Sequence, residues 1–211
     1  MNDPVSFLKQ QWNDLADGGM LVINVPDCTD NILCGDISIA MHEHINYFDK
    51  ASLDATCTQA GFQVLAIERA GYGGALYCVA RKVHNTAPLS HERSFSKFEK
   101  FKSDSDIICR KFADYIHSSS NGIIGYYAPL RILPYLSSCN IQHRYRFFDD
   151  TPTWHNGYFD GVNVRIENRN DLFASPTDHI FVSSITFGTA ISNMLKTNGY
   201  AGTITCLSDL I

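Results

Sequence analysis

The sequence predicts an α/β protein with two sheets, and three observations support this fold class. From residue 122 onwards, short apolar runs alternate with helix-like segments, which is the pattern of parallel strands joined by right-handed crossovers. Three further apolar runs occur between residues 20 and 82, with helix-like segments beside them. Between these regions, residues 83–92 are polar and contain Pro88, which is typical of a linker. A chain of 211 residues is long enough for two small domains.

The first region begins with a predicted helix. Residues 4–17 carry apolar side chains at helical spacing and are followed by a Gly-Gly pair, which ends a helix well. The run "MLVINV" then predicts a buried strand that stops at a Pro-Asp pair. We expect a loop over residues 28–38.

A helix and a hairpin are predicted next. Residues 50–60 form the predicted helix, with Ser52 as a candidate cap. The runs "FQVLAIERA" and "ALYCVARK" predict two strands, and the glycine-rich "GYGG" between them predicts a hairpin turn.

The remaining chain predicts helices followed by a parallel sheet. Residues 93–118 carry an apolar stripe at helical spacing, and we expect a break near "KSDSD". Four strands are predicted over "GIIGYYA", "RYRFFDD", "HIFVSSI" and "GTITCL", with an irregular loop over "TPTWHNGYFDGVNV". Two helices, "PLRILPYLSSC" and "GTAISNMLKTNG", are predicted to lie between strands. The predicted organisation is a first domain, a linker with helices, and a C-terminal α/β domain, over residues 1–83, 84–120 and 121–211.

Composition and charge exclude several classes of function. The net charge of −5 argues against a nucleic-acid-binding surface, which needs clustered Lys and Arg. No run approaches the roughly 18 apolar residues of a membrane span, and the polar first residues do not resemble a signal peptide. The seven cysteines occur without a Cys-x-x-Cys pair, which disfavours a structural zinc site. Unpaired cysteines of this kind indicate reduced thiols in a cytoplasmic protein.

The stretch "IAMHEHINYFD", residues 39–49, places two histidines on either side of one glutamate. A metal site, an acid/base site and a polar loop without chemistry are the three interpretations of these residues. A catalytic zinc needs at least three protein ligands, and only His42 and His44 are close in sequence. His84 or His91 would have to supply the third ligand, and no spacing supports either. We therefore expect no metal site.

Several segments resemble one enzyme family. The segment "DPVSFLKQQWNDLADGGMLVINVPD" resembles the late part of a class I S-adenosylmethionine-dependent methyltransferase domain. The segment "HEHINYFDKASLDATCTQAGFQVLAIERAGYGGALYCVARK" resembles the nucleotide-sugar C-methyltransferases, which carry His-Glu-His-x-x-Tyr-Phe, a helix and a closing antiparallel hairpin. The segments "IIGYYAPLRILPYL" and "FFDDTPTWHNGYFDGVNVRI" resemble the C-terminal α/β domain of that family. The resemblance implies a partial class I methyltransferase sheet, which is Rossmann-like, followed by a smaller Rossmann-like parallel α/β domain.

The resemblance also implies a reaction. A keto-sugar nucleotide would be methylated at the carbon beside its ketone, with S-adenosylmethionine as the methyl donor. His44 matches the family's general base, Glu43 its neighbouring carboxylate, and His42 a less specific position. A C–H bond beside a carbonyl is acidic because the enolate spreads charge onto oxygen, and a positioned imidazole contributes typically ~10²–10⁴ in rate.

Substrate contacts are expected from three residues, Tyr47, Asp149 and Tyr158. The segment "GIIGYYAP" has an alternative interpretation as a nucleotide-binding turn, with one glycine at the turn. Asp149 or Asp150, one strand later, would then be the acid that binds the ribose. Tyr126 and Tyr127 would block a pyrophosphate there, which favours a structural βαβ unit. Around Tyr158, the aromatic loop could line a substrate or partner surface, or fold back onto the sheet.

Two parts of the family pattern are missing from this sequence. The metal-binding N-terminal region is missing, as are the first four strands with the loop and acidic residue that hold S-adenosylmethionine. In addition, Met41 stands where the family has a tyrosine. The strand "MLVINV" would then present an open apolar edge, so we expect a homodimer or a partner chain that completes the sheet. The alternative is a non-catalytic nucleotide-sugar-binding or interaction module derived from the family.

Overall fold

The computed structural model describes residues 2–40, 45–71, 73–85, 95–119, 121–139 and 142–211. The chain is an α/β protein that contains a three-stranded antiparallel sheet and a five-stranded parallel sheet. It forms two compact units. Unit 1 comprises Met1–Leu33 and His42–Phe101, and unit 2 comprises Cys34–Met41 and Lys102–Ile211.

Unit 1 is built on the antiparallel sheet. Its elements are α1 (Pro4–Asp14), β1 (Met20–Pro26), α2 (Thr29–Cys34, whose last residue belongs to unit 2), α3 (Lys50–Gln59), β2 (Phe62–Arg69) and β3 (Ala75–Lys82). The strand order is β1-β3-β2, so β3 is central and β1 lies at an edge. The predicted hairpin is present, because β2 and β3 pair with each other in antiparallel register.

One face of this sheet carries the core of unit 1. Leu53 and Cys57 of α3 are buried against Leu76 and Cys78 of β3, together with Leu8 of α1. Apolar burial of this kind supplies the main driving force for the fold of the unit.

The other face of the sheet is exposed. Side chains of β1 alternate between exposed and partly buried positions, with Met20 54% and Val22 69% exposed. The prediction of a buried strand is therefore wrong, because alternate residues of β1 are exposed and the residues between them are only partly buried.

Local hydrogen bonds correct two further predictions in unit 1. Residues 28–38 are not a plain loop, since they contain α2 and a 3₁₀ helix, Ile37–Ile39. Asp49 rather than Ser52 caps α3: its carboxylate accepts the Ser52 N–H at 2.7 Å, while the Ser52 hydroxyl oxygen accepts the Asp49 N–H at 3.0 Å. This reciprocal arrangement is a capping box, in which Ser52 acts from the third helical position.

A long helix, α4 (Ser96–Ser118), continues through the predicted break near "KSDSD". Its buried residues are Ser105, Ile108, Phe112 and Ile116, which follow one another at steps of three or four and form a single apolar stripe. Burial of this stripe in the core of unit 2 outweighs the weak helix propensity of the Ser-Asp sequence.

Unit 2 is built on the parallel sheet. Its further elements are β4 (Ile124–Tyr127), α5 (Leu133–Cys139), β5 (Tyr145–Phe148), β6 (Ile166–Glu167), α6 (Arg169–Ala174), β7 (His179–Val182), α7 (Gly188–Thr197) and β8 (Thr203–Cys206). Strand order is β6-β5-β4-β7-β8. The four predicted strands are present, and β6 and α6 are additional.

Alternate side chains of the strands enter two core clusters. On one face, Tyr126, Phe147 and Phe181 pack with Phe112 of α4 and Tyr135 of α5. The second cluster contains Tyr127, Phe148, Val182, Leu172 of α6 and Leu195 of α7. Burial on both faces explains why these strands are almost continuously apolar in sequence.

A buried carboxylate attaches the segment before the His-Glu-His stretch to unit 2. Asp36 is fully buried, and its Oδ1 accepts hydrogen bonds from the Tyr135 hydroxyl at 2.7 Å and from the Ser38 N–H at 2.8 Å. The Ser38 hydroxyl donates to the other oxygen at 2.6 Å. These bonds offset the desolvation of the charge.

None of the helices that the structure describes combines the length and apolar character needed to span a membrane.

Removal of the Tyr135 hydroxyl tests the importance of this attachment. We expect Tyr135→Phe to lower the free energy of unfolding by about 1.5–3 kcal/mol, because it deprives a buried carboxylate of a donor. Urea denaturation followed by circular dichroism measures the change. As the control, Tyr158→Phe removes a hydroxyl from an exposed ring and should leave stability unchanged. Equal stability of the two variants would contradict the expectation.

Candidate functional site

A buried carboxylate holds the carboxyl end of β1. The side chain of Asp27 is fully buried, and its Oδ1 accepts the Thr29 N–H at 3.0 Å and also the Thr29 hydroxyl. Its Oδ2 accepts a hydrogen bond from Arg69 Nε, while Arg69 Nη2 donates to the exposed Asp30 at 2.6 Å. Burial acts to raise the pKa of Asp27, but the hydrogen bonds from Thr29 and Arg69 outweigh it, so the pKa lies below its ordinary value. Asp27 is therefore an ionised anchor rather than a proton donor.

The chain after the His-Glu-His stretch returns to this same end of β1. The Cys28 N–H donates to the carbonyl of Phe48 at 2.9 Å, and Asp27 and Phe48 form a parallel bridge. The Phe48 ring is buried in the core of unit 1, whereas Tyr47 is partly exposed. Tyr47, a predicted substrate contact, thus lies at the surface beside the anchored Phe48.

The predicted base and its neighbours, His42, Glu43 and His44, lie outside the described residues, as does Met41. Their catalytic role stays a prediction from sequence.

In unit 2, the carboxyl ends of β4 and β5 bring a second group of polar residues together. Asp149 directly follows β5, is largely buried, and accepts the Thr151 N–H at 2.8 Å on its Oδ1. The Asp149 backbone is held by its N–H bond to the Glu167 carbonyl and by a 2.9 Å contact between its own carbonyl and His155 Nε2. The predicted acid is therefore at the expected end of the strand, where part of its hydrogen-bonding capacity stabilises a turn.

A buried hydroxyl group that forms no hydrogen bond of normal geometry among the described residues lies at the same edge. Tyr127 ends β4 in register with Phe148, which places it beside the two residues that follow β5. The residue is 2% exposed, and its Oη forms no hydrogen bond of normal geometry within the described chain. Burial raises the pKa of Tyr127, and the side chain of Asp150 raises it further through hydrogen bonding and through its charge, whereas Arg169 acts in the opposite direction. Asp150 and Arg169 form an ion pair with 3.3 Å between Oδ1 and Nε.

A serine side chain binds the backbone carbonyl groups at the end of β4, next to β7. The sheet changes direction at this point, because β5 lies on one side of β4 and β7 on the other, and such switch points often bind ligands. Here, the Ser183 hydroxyl lies 2.9 Å from the carbonyl of Tyr127 and 2.7 Å from that of Ala128, and donates to this pair. It thereby occupies carbonyl groups that a ligand could otherwise use.

The predicted turn glycine of "GIIGYYAP" lies elsewhere. Gly125 is inside β4, where a Cβ atom would lie 2.4 Å from Ile180 Cδ1, so the glycine allows close packing within the sheet. The turn is made by Ala128, whose φ of +61° is left-handed. Gly125 is therefore not the turn residue of a phosphate-binding loop, and its place within β4 agrees with the structural βαβ unit that the sequence favours.

The aromatic loop combines both of its interpretations. The rings of Trp154 and Phe159 are 6.1 Å apart, and Phe159 packs 5.7 Å from Phe147 of β5, so these two aromatics fold back onto the sheet. Tyr158 is instead 60% exposed and belongs to an open depression of about 560 Å³ lined by residues 158–163. Tyr158 is available to a ligand or partner.

The predicted substrate contacts belong to different units: Tyr47 lies in unit 1, whereas Asp149 and Tyr158 lie in unit 2. Sequence reasoning missed Arg169, and it considered Tyr127 only as an obstacle to a ligand. Tyr127 could be placed beside Asp150 only after the β4–β5 register was known.

Among the described residues, no group of three or more His, Cys, Asp or Glu side chains is placed to hold a metal ion.

No protein-family model matches the sequence, and no curated protein matches it. The fold defines an α/β protein with one parallel and one antiparallel sheet.

The ionisation of Asp27 predicts a pH dependence. A carboxyl group whose folded pKa is lowered stabilises the fold fully above its unfolded pKa of about 3.9, and this contribution is lost as the pH falls through the folded pKa. We expect Asp27→Asn to be less stable than the wild type at pH 7, with the difference shrinking below about pH 4. Asp30→Asn, in contrast, removes only an exposed partner of Arg69 and should cost less than about 1 kcal/mol. Urea unfolding between pH 3 and 7 measures both; a pH-independent difference for Asp27→Asn would contradict this expectation.

Proposed function

We propose that this chain is a C-methyltransferase-like protein that acts on a keto-sugar nucleotide, with His44 as the general base. In this proposal, Glu43 orients the imidazole or raises its pKa, His42 assists, and Tyr47 contacts the substrate. The observation that carries the proposal is the attachment of Phe48, the last residue of His-Glu-His-x-x-Tyr-Phe, to the carboxyl end of β1.

Chain length supports this location for the base. Only four peptide steps separate His44 from Phe48. The covalent chain alone therefore keeps their Cα atoms within about 14 Å of each other. Since Phe48 lies at the end of β1, the proposal expects His44 near that end.

The sheet of unit 1 also supports the proposal. The family resemblance implies a closing antiparallel hairpin beside an earlier strand, and the order β1-β3-β2 has that arrangement. Gly73 and Gly74 in the turn before β3 both have positive φ, which suits glycine and matches the Gly-Gly pair in the resemblance.

The chemistry proposed for this chain is proton removal. The imidazole of His44 would take the proton from the carbon beside the ketone, and the electron pair of that C–H bond would pass into the enolate. S-adenosylmethionine, when bound, supplies an electrophilic methyl group. The described part of unit 1 does not fit this cofactor, because its three strands are antiparallel and no glycine-rich loop follows a parallel strand. A separate chain or segment would have to hold it.

The exposed edge of the sheet supports a partner. Within the described chain, β1 is hydrogen-bonded only to β3, and Met20 and Val22 are exposed beside the free edge. An exposed apolar edge strand favours pairing with another strand. We infer a homodimer or a partner chain that extends the sheet from β1.

The alternative is a non-catalytic module that binds a nucleotide sugar. The lack of fit to the cofactor in the described part of unit 1 favours it. Calorimetry with S-adenosylmethionine and, separately, with dTDP-glucose tests the binding that the two functions have in common. Both functions predict that the sugar nucleotide binds and that the cofactor does not bind this chain alone. Cofactor binding by this chain would contradict the assignment of the cofactor site to another chain or segment.

Substitution of His44 tests whether it acts as the general base of methyl transfer. With a cofactor-binding chain added, we expect His44→Ala to lower kcat for methyl transfer by about 10²–10⁴. The control, His84→Ala, removes an exposed imidazole that contacts Asp17 and should leave kcat unchanged. Methyl transfer at the wild-type rate by His44→Ala would exclude His44 as the base, and absence of turnover by the wild type would favour the non-catalytic module.

A charged residue introduced on β1 tests whether a second chain pairs with this strand. Light scattering coupled to size-exclusion chromatography should show a dimer of the wild-type chain, or a complex with the cofactor-binding chain. We expect Val22→Lys to weaken either association, because a lysine amino group opposes strand addition at an apolar edge. Glu99→Lys, on α4, is the control for added positive charge and should associate normally. A wild-type monomer that forms neither assembly would contradict the inference.

A further inference from the structure

The buried Tyr127 hydroxyl forms no hydrogen bond of normal geometry among the described residues, although it interacts with the Asp150 side chain, and it lies at a sheet edge where α/β proteins commonly bind ligands. Leaving a buried hydroxyl unpaired is unfavourable, whereas an exposed ion pair contributes little to stability. The Asp150–Arg169 pair that lies beside this hydroxyl is of the second kind, with side chains 46% and 40% exposed. A ligand group could therefore displace the Arg169 side chain at low cost and give Tyr127 a partner.

The charges around Tyr127 restrict the chemistry of that ligand. Asp149 and Asp150 are acidic and Arg169 is basic, which gives the group a net charge of −1 from two negative charges and one positive charge. This charge disfavours a phosphate group. Carboxylates accept hydrogen bonds from hydroxyl groups, and the Tyr127 hydroxyl can donate to a hydroxyl oxygen. Adjacent sugar hydroxyl groups satisfy both requirements.

We propose that the carboxyl edge of β4 and β5 binds a vicinal diol of a sugar, with the Asp150 carboxylate accepting from the two hydroxyl groups and Tyr127 Oη donating to one of them. Asp149 holds the turn after β5 through its bond to Thr151, and so it positions Asp150. The proposed diol site lies within unit 2, and the proposal rests on the proposed function only for the origin of the diol.

The diol could come from a nucleoside ribose or from a hexose. Uridine and 2′-deoxyuridine differ by one hydroxyl of the ribose diol. The compounds dTDP-glucose and dTDP differ by a hexose, and the deoxyribose that they share has no vicinal diol. Dissociation constants for the full chain, measured by ligand-observed NMR titration without S-adenosylmethionine, test both origins.

In the wild type, we expect about tenfold tighter binding of the diol-bearing member in one of these pairs. Preference for uridine would identify ribose, and preference for dTDP-glucose would identify the hexose. Equal affinities within both pairs would overturn the proposal. Because no methyl transfer is involved, this result is independent of whether His44 acts as a base.

Three variants locate the binding. Asp150→Asn should reduce the preference about tenfold, and Tyr127→Phe should reduce it about three- to tenfold. Conversely, Arg169→Gln should maintain or strengthen the preference, because it removes the group that competes for Asp150. Weaker diol binding by Arg169→Gln would overturn the proposed displacement.

Matched controls address folding. Tyr115→Phe removes the other buried hydroxyl that lacks a hydrogen-bond partner among the described residues, and Asp106→Asn removes an exposed carboxylate of α4. Neither should change the preference. Tyr127→Phe should unfold at a urea concentration no lower than the wild type, since it removes an unpaired hydroxyl. Loss of the preference in Tyr115→Phe as well as in Tyr127→Phe would overturn the assignment of binding to this edge.

Discussion

The candidate site of unit 1 depends on the backbone hydrogen bond from the Cys28 N–H to the Phe48 carbonyl. It ties the chain after the His-Glu-His stretch to the end of β1, and the buried Asp27 fixes the end itself through Thr29 and Arg69. Asp36 attaches the chain before the stretch to unit 2.

In unit 2, the strand register determines which polar side chains lie next to one another. Parallel pairing of β4 with β5 sets Tyr127 opposite Phe148 and brings its hydroxyl next to Asp150. The two units therefore present polar groups by different means. Unit 1 uses the buried carboxylate of Asp27, which pairs with the partly exposed Arg69 at the end of an edge strand, and unit 2 uses the aligned ends of central strands.

Sequence patterns predicted the elements whose burial is periodic. The hairpin β2–β3 and strands β4, β5, β7 and β8 follow apolar runs, because their side chains enter a core on one or both faces. The two residues of β6 are too few to show a period in the sequence. The six residues of α2 include no buried residue, so they show no helical period either. In α4, tertiary packing of the Ser105–Ile116 stripe outweighs the weak helix propensity of the Ser-Asp residues. Local sequence patterns contain no information about such packing.

Of the candidate site, the sequence placed Asp149 at the end of its strand, because an acid that follows an apolar run needs no tertiary information. Tyr127 and Arg169 required the register and the position of α6. The histidines are a different case, since their proposed role depends on a family resemblance and they lie outside the described residues.

Proton abstraction by His44 can be measured without a methyl donor. In D₂O, a base beside the ketone of dTDP-4-keto-6-deoxyglucose would exchange the neighbouring C–H hydrogen for deuterium, which mass spectrometry detects as a gain of one mass unit. The wild-type chain should accelerate this exchange by about 10²–10⁴ over buffer, and His44→Ala should not. Exchange at the buffer rate with the wild-type chain, or equally fast exchange with both chains, would contradict a general base at His44.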